Sequence, residues 1–323
     1  MEAQRPNRQD EIRIGISGCL LGQNVRFDGG HKRDHYIDET LRPFVKFVPV
    51  CPEVEIGMGT PRESIRLDRV DGEIRLRGPR SGEDYTEKMS SYAEKKSIAL
   101  RTEGLSGFVL KRGSPSCGLY RVRVYDHNGV PSKSGRGVFA EALARSNPAL
   151  PVEEEGRLND PRIRDNFFEQ VFAYRRLQSF FRGEWRVGDL VRFHTGEKLL
   201  LMAHDPRAYK GLGRIVAGAK GRLPEDIESE YTQEFMRVLK TGSTTKKHSN
   251  VLLHVLGHFR KRLAQVDRQE ILDLIEDFRK GLVPLVLPVT FLRHHIRQQE
   301  IRYLSSQSYL EPHPKELMLR NYV

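Results

Sequence analysis

The sequence predicts an α/β domain followed by an all-α domain. Strand-like and helix-like patterns alternate over residues 11–160, which is typical of a mostly parallel sheet with flanking helices in a Rossmann-like, three-layer arrangement. From about residue 190 onward, helical patterns follow one another without a convincing strand. The length of 323 residues is also sufficient for two domains that each bury a core.

The elements of the first domain are assigned from the spacing of apolar residues and from capping and turn residues. In chain order they are a strand at 12–22, a helix at 34–44, a strand at 45–53, a helix at 84–105, a strand at 106–114, a strand and turn at 119–129, and a helix at 137–148. Asp34 is a suitable cap for the first helix, and Pro52 interrupts the second strand. The polar stretch 1–10 is predicted to be a tail, so the α/β domain covers 11–160.

Charge distinguishes the second part of the chain from the first. Of the net charge of +11, residues 191–323 contribute +7, from 22 Lys and Arg against 15 Asp and Glu. Residues 161–190 are predicted to form a connecting helix, and residues 191–323 a basic, all-helical domain. A positive excess on one domain favours a polyanionic partner, so this domain is a candidate for RNA binding.

The chain has the features of a cytoplasmic protein without a membrane partner. No apolar run approaches the roughly 18 residues that a membrane-spanning helix needs. The N-terminal residues lack the apolar segment of a secretion signal. The three cysteines are odd in number and show no C-x-x-C spacing, so they indicate free thiols in a reducing compartment rather than a disulfide framework.

The three cysteines fall at comparable places in the predicted sheet. Cys19 follows the first strand, Cys51 ends the second, and Cys117 follows a later strand at a Gly-Ser-Pro-Ser corner. Because the carboxyl ends of parallel strands share one edge of a sheet, where open α/β sheets bind ligands, these loops can converge. Three thiolates suit zinc with water as the fourth ligand, or an iron–sulfur cluster with one open iron. Unrelated, partly buried thiols are the alternative.

Three stretches around these cysteines resemble the thiouracil desulfidase (TudS) family. They are SGCLLGQNVRFDGGHK, VCPEVEIGMGTPRESIRL and LKRGSPSCG, and they occur in the family's order within residues 11–160. Phe27 stands where the family pattern has Tyr, which removes only a hydroxyl. In the second half, TTKKHSNVLLHVLGHFRKRL, LVLPVTFLRHHIR and SYLEPHPKELMLRN resemble the helical domain of RudS-type tRNA 4-thiouridine desulfidases.

The resemblance implies a cofactor and a reaction. It implies that Cys19, Cys51 and Cys117 hold a 4Fe-4S cluster whose fourth iron is open and acts as a Lewis acid on the sulfur of a C=S group. The implied reaction is a non-redox, hydrolase-type desulfidation of thiolated uracil or 4-thiouridine, which gives uridine and sulfide. The implied partners are tRNA containing 4-thiouridine, or free thiouracil and thiouridine.

Polar residues next to the cysteines are candidates for catalysis and substrate binding. Glu53, two residues after Cys51, is the candidate proton shuttle, and Ser114 is placed to bond the pyrimidine or the attacking water. Ser116 is a further candidate for substrate contact. The alternatives are structural: Glu53 caps a backbone turn, and the two serines satisfy the backbone of their own corner.

The loop after Cys19 adds candidate substrate-binding residues. Asn24 and Asp28 can read the edge of a pyrimidine, and Arg26 can hold a phosphate or brace Asp28. Arg62, in the GTPRE stretch, is a candidate of the same kind. A loop held by its own Asx turns is the alternative.

In the helical domain, Lys246 and Lys247 are the candidate RNA-binding residues. They lie in KTGSTTKKHSN, a turn before a predicted helix that is suited to binding phosphate. Tyr209, Tyr303 and Tyr309 are candidates for stacking on unpaired bases. The HVLGH stretch does not predict a zinc protease, because Val stands where such an enzyme needs Glu.

Two other functions fit parts of the sequence. An iron–sulfur sensor that binds nucleic acid and regulates genes would also use the cysteines and the basic domain, although no helix-turn-helix pattern is convincing. A tRNA thiolation enzyme would run the chemistry in the opposite direction, but it usually needs ATP, and the sequence has no phosphate-binding loop of the required kind. Turnover of a thiolated nucleoside separates desulfidation from both alternatives.

Overall fold

The structure, a computed structural model, describes residues 11–259 and 262–321. The predicted tail at 1–10 lies outside these residues, as does the Arg260–Lys261 pair of the FRKRL stretch. The chain divides into two compact units, with the division between Asn159 and Asp160. The predicted fold class, an α/β region followed by a helical region, is confirmed.

The first unit contains eight strands and three α-helices among its described residues. In chain order these are β1 (Arg13–Ser17), β2 (Lys46–Val50), α1 (Pro52–Glu55), β3 (Arg66–Val70), β4 (Glu73–Arg77), α2 (Thr86–Thr102), β5 (Gly107–Leu110), β6 (Val122–Tyr125), β7 (Pro131–Gly135), α3 (Val138–Ser146) and β8 (Val152–Glu154). The strands form two sheets of four strands each.

The first sheet is parallel throughout and has the spatial order β2-β1-β5-β8. Its central strands are apolar because they are covered on both faces: Ile14, Ile16 and Phe108 have no exposed surface. Gly15 allows this close packing, since a Cβ there would lie 2.2 Å from the ring of Phe108. After β1, the chain adds β2 on one side of this strand and later adds β5 on the other side. A topological switch point of the sheet therefore lies between β1 and β5.

The second sheet is mixed, with the order β4-β3-β6-β7. Strand β3 is antiparallel to β4 and parallel to β6, and β6 is antiparallel to β7. Asp71 and Gly72 form the turn of the β3–β4 hairpin with positive φ angles of 51° and 84°. The expectation of a mostly parallel sheet therefore holds for the first sheet only. In the second sheet, β6 is the one strand whose region, 119–129, was predicted from the sequence.

The helix predicted at 34–44 is wrong in type. The structure has a π-helical turn over Tyr36–Leu41, followed by a 3-10 turn over Arg42–Phe44. Pro43 has no N–H group and cannot continue an α-helical hydrogen-bond ladder. The chain therefore leaves the helical turn early and enters β2.

The second unit contains helices and no strand among its described residues. They are α4 (Pro161–Arg182), α5 (Val187–Gly196), α6 (Lys198–His204), α7 (Pro206–Ala217), α8 (Pro224–Lys240), α9 (Thr245–Gly257), α10 (Gln265–Arg279), α11 (Val286–Gln298) and α12 (Arg302–Ser305). None of the helices in the described parts of the chain is both long enough and apolar enough to cross a lipid bilayer.

The predicted connecting helix at 161–190 is α4, which ends at Arg182. The side chain of Asp160 caps it by accepting hydrogen bonds from the backbone N–H groups of Arg162 and Ile163 at 2.8 and 3.3 Å. Its buried face packs against α8. The helix is therefore part of the core of the second unit rather than a linker, because its apolar side chains need that cover.

A buried ionic network holds the C-terminal segment onto the second unit. The carboxylate of Glu169 accepts a hydrogen bond from Arg320 at 2.6 Å and pairs with Nε2 of His204 at 2.8 Å. Burial alone would raise the pKa of Glu169, but the charge of Arg320 and the bond to His204 hold it below its usual range. Arg320 also lies 4.7 Å from the ring centroid of Tyr309, which is fully buried. The prediction that Tyr309 stacks on RNA bases is therefore wrong, because its ring is part of the core.

Candidate active site

One cavity in the first unit brings together most of the predicted site residues. It has a volume of about 320 Å³ and lies at the carboxyl ends of β1, β2 and β5, beside the switch point of the parallel sheet. The predicted residues that line it are Cys19, Cys51, Cys117, Glu53, Ser114, Arg26 and Arg62. A cavity of this size is sufficient for a small ligand.

Short turns after β1 and β2 hold Cys19 and Cys51. Cys19 lies in the 3-10 turn Gly18–Leu21, and its carbonyl accepts a hydrogen bond from the N–H of Lys32 at 2.9 Å. Cys51 is the N-cap residue of α1, and its own N–H donates to Oε1 of Glu55 at 3.2 Å. Both thiols are thereby fixed by the backbone at the edge of the sheet.

Cys117 lies in a corner whose backbone is held from two sides. On one side, Oγ of Ser114 accepts hydrogen bonds from the N–H groups of Ser116 at 3.2 Å and Cys117 at 3.1 Å. On the other side, the carbonyl of Ser116 accepts a hydrogen bond from Phe139, in the first turn of α3, at 3.0 Å. The first turn of a helix has N–H groups without a partner in the helix, so the corner and α3 satisfy each other.

Gly137→Ala is expected to destabilise the first unit and to displace Cys117. A Cβ at Gly137 would lie 2.4 Å from the carbonyl oxygen of Ser116, so either the corner or α3 must move. Overpacking of this kind typically costs about 1–3 kcal/mol. Thermal unfolding of the purified chain measures the loss. Gly188→Ala in α5 is the control, because a Cβ there meets no atom within 4 Å. An equal unfolding temperature for both variants would show that the corner tolerates the methyl group.

The three thiols are protonated unless a positive partner is bound. Burial raises the pKa of Cys19 to about 11. Burial and the nearby charge of Glu53 raise that of Cys51 to about 12. Burial also raises the pKa of Cys117 well above its usual value. A nucleophilic cysteine needs a lowered pKa, so these thiols do not suit that role. A metal centre would deprotonate them on binding.

The three cysteines place sulfur donors around one cavity. Thiolates are the ligands of iron–sulfur clusters, and they also bind zinc. Within residues 11–259 and 262–321, no three His, Cys, Asp or Glu side chains are close enough together to hold a single ion. The donor set therefore fits a metal centre that takes thiolate ligands.

Glu53 lies between the loops that hold Cys51 and Cys117, and it is only 9% exposed. Its Oε2 accepts a hydrogen bond from Sγ of Cys51 at 3.6 Å, and its Oε1 accepts one from Oγ of Ser114 at 3.4 Å. Within the described residues no backbone N–H donates to this carboxylate, so the capping alternative has no support. Ser114 does hold its own corner, as the structural alternative proposed, and its hydroxyl also reaches Glu53.

Arg26 and Arg62 line the cavity, and each is held by neighbouring groups. Nη1 of Arg62 donates to the carbonyls of Val25 at 2.9 Å and Gly59 at 3.0 Å, so this side chain connects two loops. Arg26 forms an ion pair with Asp28 at 3.3 Å. This pair leaves Arg26 beside the cavity with its charge partly compensated.

Three predicted substrate contacts do not line the cavity. Asp28 is exposed, and its Oδ1 accepts a hydrogen bond from the N–H of Gly30 at 3.1 Å, which is the Asx-turn alternative. Asn24 is exposed and is not one of the residues that line the cavity. Ser116 has no exposed surface, because α3 packs over its carbonyl. The structure therefore gives these three residues no contact with a molecule in the cavity.

Two polar residues at strand ends are among the lining residues that the sequence analysis did not identify. Ser17, the last residue of β1, accepts a hydrogen bond from the N–H of Lys111 at 2.9 Å and hydrogen-bonds Cys117. Lys111, the first residue after β5, forms an ion pair with Glu155 and places a positive charge near Cys19. Their positions at the ends of strands could have identified them in the sequence, because the three cysteines lie at the same edge of the sheet.

In the second unit, the predicted RNA-binding lysines lie in the first turn of α9. Thr244 is the N-cap residue, and its side chain accepts a hydrogen bond from the N–H of Lys247 at 3.3 Å. Nζ of Lys247 donates to the carbonyl of Gly242 at 3.2 Å, whereas Lys246 is exposed. The stacking candidates Tyr209 and Tyr303 are half-buried.

Comparison with protein families assigns the first unit. Residues 14–155 match the model of a family described as 2-thiouracil desulfurase. A relative, the protein YbbK of Bacillus subtilis (strain 168), is 34% identical over 158 residues, which cover 46% of this chain and 98% of YbbK. The chain belongs to the 2-thiouracil desulfurase family. This assignment confirms the resemblance found from the sequence.

The 2-thiouracil desulfurase unit is joined to a second, different region. Residues 198–314 match the model of a protein family of unknown function, DUF1722. The protein YbgA of Escherichia coli (strain K12) is 30% identical over 165 residues, which cover 51% of this chain and 98% of YbgA. Each of these relatives corresponds to about half of the present chain.

A solved structure of a [4Fe-4S]-dependent thiouracil desulfidase, TudS, is 32% identical in sequence to this 2-thiouracil desulfurase family member. The match covers 46% of this chain and 95% of that one, with a TM-score of 0.38. Like YbbK, the solved chain therefore corresponds to about half of the present one.

Proposed function

We propose that this chain is an iron–sulfur desulfidase that converts 4-thiouridine in tRNA to uridine and releases sulfide. The observation that carries the proposal is the single cavity in which three thiols, Glu53 and Ser114 meet, within a 2-thiouracil desulfurase unit. Thiolated uracil is the chemical class of the substrate, and tRNA is its source because the second unit is basic. Three free thiols favour the reducing cytoplasm as the compartment of the reaction.

Cys19, Cys51 and Cys117 would hold a 4Fe-4S cluster and leave one iron open. Their sulfur donors fit such a group, because they surround one cavity. When bound, the cluster supplies a Lewis acid for the sulfur of the C=S group. The raised pKa values of the thiols mean that the cluster and the thiolates stabilise each other, since neither charge is solvated in this cavity.

Glu53 is the proton-transfer residue of the proposed reaction. Water adds to the base carbon that carries sulfur, and Glu53 accepts one proton from this water and passes it to the departing sulfur. The second proton leaves the added hydroxyl as the carbonyl forms, passes by way of Glu53 to the sulfur, and completes H₂S. The balance is C=S plus H₂O giving C=O plus H₂S, with no change in oxidation state. Ser114 orients the carboxylate of Glu53 through its 3.4 Å hydrogen bond. Because the hydrolase-type reaction involves no electron transfer, it needs no nicotinamide, and it needs no ATP.

RNA binding is assigned to the second unit on the basis of charge. Residues 160–323 contain 28 Lys and Arg against 20 Asp and Glu, a net charge of +8. A free pyrimidine base requires no such surface, whereas the phosphates of tRNA do. Lys246 is exposed at the first turn of α9, where backbone N–H groups also favour an anion.

The decisive experiment uses full-length chain purified without oxygen. Iron and acid-labile sulfide are measured first, and the protein is then incubated with tRNA containing 4-thiouridine. We expect conversion of 4-thiouridine to uridine with an equal amount of sulfide released, without ATP. An iron–sulfur sensor would bind nucleic acid without this conversion. A tRNA thiolation enzyme would instead form 4-thiouridine from uridine in the presence of ATP, so either result would contradict the proposal.

Lys246→Ala combined with Lys247→Ala is expected to weaken tRNA binding and to flatten its salt dependence. For each phosphate contact that is lost, the slope of log affinity against log salt falls by about 0.7 to 0.9. Binding titrations at several salt concentrations measure both quantities. Lys220→Ala combined with Lys315→Ala removes the same charge from exposed positions elsewhere in the unit. If both double variants bind alike, Lys246 and Lys247 do not contact phosphate.

A further inference from the structure

Side chains from four helices of the second unit gather in what we call the Lys198 patch: Lys198 on α6, Tyr209 on α7, His254 and His258 on α9, and Tyr303 on α12. The ring centroids of His254 and His258 are 5.4 Å apart, and those of His258 and Tyr303 are 5.1 Å apart. Burial and the neighbouring charge of Lys198 lower the pKa of both histidines. The same charge acts on Tyr209, whose pKa burial raises.

The patch is open to a ligand. His258 is exposed and the other four side chains are half-buried, so ring edges and faces reach the surface. The plane of Tyr209 is fixed from below, because its ring stacks on the buried ring of His194 at a centroid distance of 4.8 Å and an angle of 3°. Aromatic surfaces that are held in place bind a flat partner with little loss of side-chain freedom.

Polar groups in the patch have no protein partner. In the described parts of the chain, Nε2 of His254 and the hydroxyl of Tyr303 are shielded from solvent and make no hydrogen bond. Lys198 forms no ion pair with any described residue. Because those two atoms are shielded, a ligand at the surface meets the rings of His258 and Tyr303 and the ammonium group of Lys198.

Three buried histidines elsewhere in the second unit have a hydrogen-bond partner in the core. His194 is bonded to the hydroxyl of Tyr231 at 3.1 Å, and His248 to that of Tyr309 at 3.0 Å. His204 is bonded at both ring nitrogens, to Thr241 and Glu169. These rings are part of the core, although Nε2 of His248, like that of His254, has no partner among the described residues. His258 and Tyr303 differ from them because their rings reach the surface.

We infer that the Lys198 patch binds an unpaired nucleotide of the tRNA substrate. Its base stacks on the rings of His258 and Tyr303, and its phosphate lies at Lys198. This assignment rests on the proposed function, because it takes tRNA as the ligand. Flat rings beside one ammonium group, in a unit of net charge +8, match a stacked base with its phosphate. A protein partner would not need this combination.

The test is binding of unmodified tRNA, which is not turned over, to full-length chain and its variants. Stacking of a base on an aromatic ring contributes enough that its loss weakens binding by about 5- to 100-fold. We expect this loss for Tyr303→Ala and for His258→Ala, and none for Tyr303→Phe, which keeps the ring. Lys198→Ala should lower the salt slope by about 0.7, as for one phosphate. Lys315→Ala is the matched control for charge.

The outcomes separate this inference from the proposed function. If the wild-type chain binds tRNA and the patch variants bind equally well, the patch is not an RNA contact and the proposed function stands. If the wild-type chain does not bind tRNA, both are overturned. Tyr303→Phe guards against misfolding: full affinity in this variant, together with the loss in Tyr303→Ala, supports stacking on the ring, whereas an equal loss in both variants would contradict it.

Discussion

Each of the variants Cys19→Ala, Cys51→Ala and Cys117→Ala is expected to lose both bound iron and desulfidation. The three thiols line one cavity, and no other Cys exists in the chain to replace a missing one. Two thiolates would leave two irons of a four-iron cluster without a protein ligand, so the cluster should be released. Iron and sulfide content, visible absorption and turnover of 4-thiouridine measure the result after purification without oxygen.

Ser97→Ala is the control for the cysteine variants. Ser97 is a buried residue of α2 with no exposed surface, so the substitution makes a similar change of volume in the same unit, away from the cavity. It should keep its iron and its turnover. A cysteine variant that retained full iron and full turnover would show that its thiol is not a ligand, and the assignment of three ligands would then be wrong.

Glu53→Gln is expected to keep the cluster and to lose most of the turnover. The amide has nearly the shape of the carboxylate and can still bond Ser114, but it cannot accept a proton from water at neutral pH. General acid–base catalysis typically contributes about a hundred- to ten-thousand-fold to a rate, and a loss in that range is expected in kcat. Single-turnover rates at matched iron content measure it.

Glu141→Gln, an exposed position on α3, makes the same chemical change outside the cavity and should leave the rate unchanged. A loss smaller than about tenfold in Glu53→Gln would assign Glu53 to holding the Cys51 loop rather than to proton transfer. Ser114→Ala distinguishes the two roles of that serine. If it loses iron as well as rate, its bonds to the backbone of the Cys117 corner matter more than its bond to Glu53.

The meeting of the three cysteines could be predicted from the sequence because it follows from topology. Each thiol comes after a strand of a parallel sheet, and the carboxyl ends of such strands share one edge. Glu53 could be predicted because it is only two residues from Cys51 and enters the cavity with it. Such inferences depend on the direction of the chain and not on the packing of individual side chains.

Residues whose role depends on packing could not be predicted in this way. Ser116 is next to Cys117 in the chain, yet it faces away from the cavity because α3 covers it. Tyr309 has the composition of a stacking residue, but the buried Glu169–Arg320 pair makes its ring part of the core. Neither α3 nor Glu169 is close in sequence to the residue whose position it helps to decide.

The second sheet was missed for a different reason. Strand β3 (RLDRV) is mostly charged, and β4 (EIRLR) alternates charged and apolar residues. Strand β7 (PSKSG) is mostly exposed and lacks an apolar side chain other than Pro. A mixed sheet at the surface therefore looks like a polar loop when only apolar runs are counted. The Asp71-Gly72 pair between β3 and β4 was the usable signal, because this dipeptide favours the tight turn of a hairpin.

The hydrogen bonds around Cys117 also bear on the order in which the protein matures. The corner is tied to Ser114 on one side and to the first turn of α3 on the other, entirely by groups of the chain itself. Under the proposed function, we therefore expect this corner to form whether or not a cluster is bound, because its hydrogen bonds involve no metal. Addition of iron and sulfide to metal-free protein, without oxygen, is then expected to restore turnover with no refolding step.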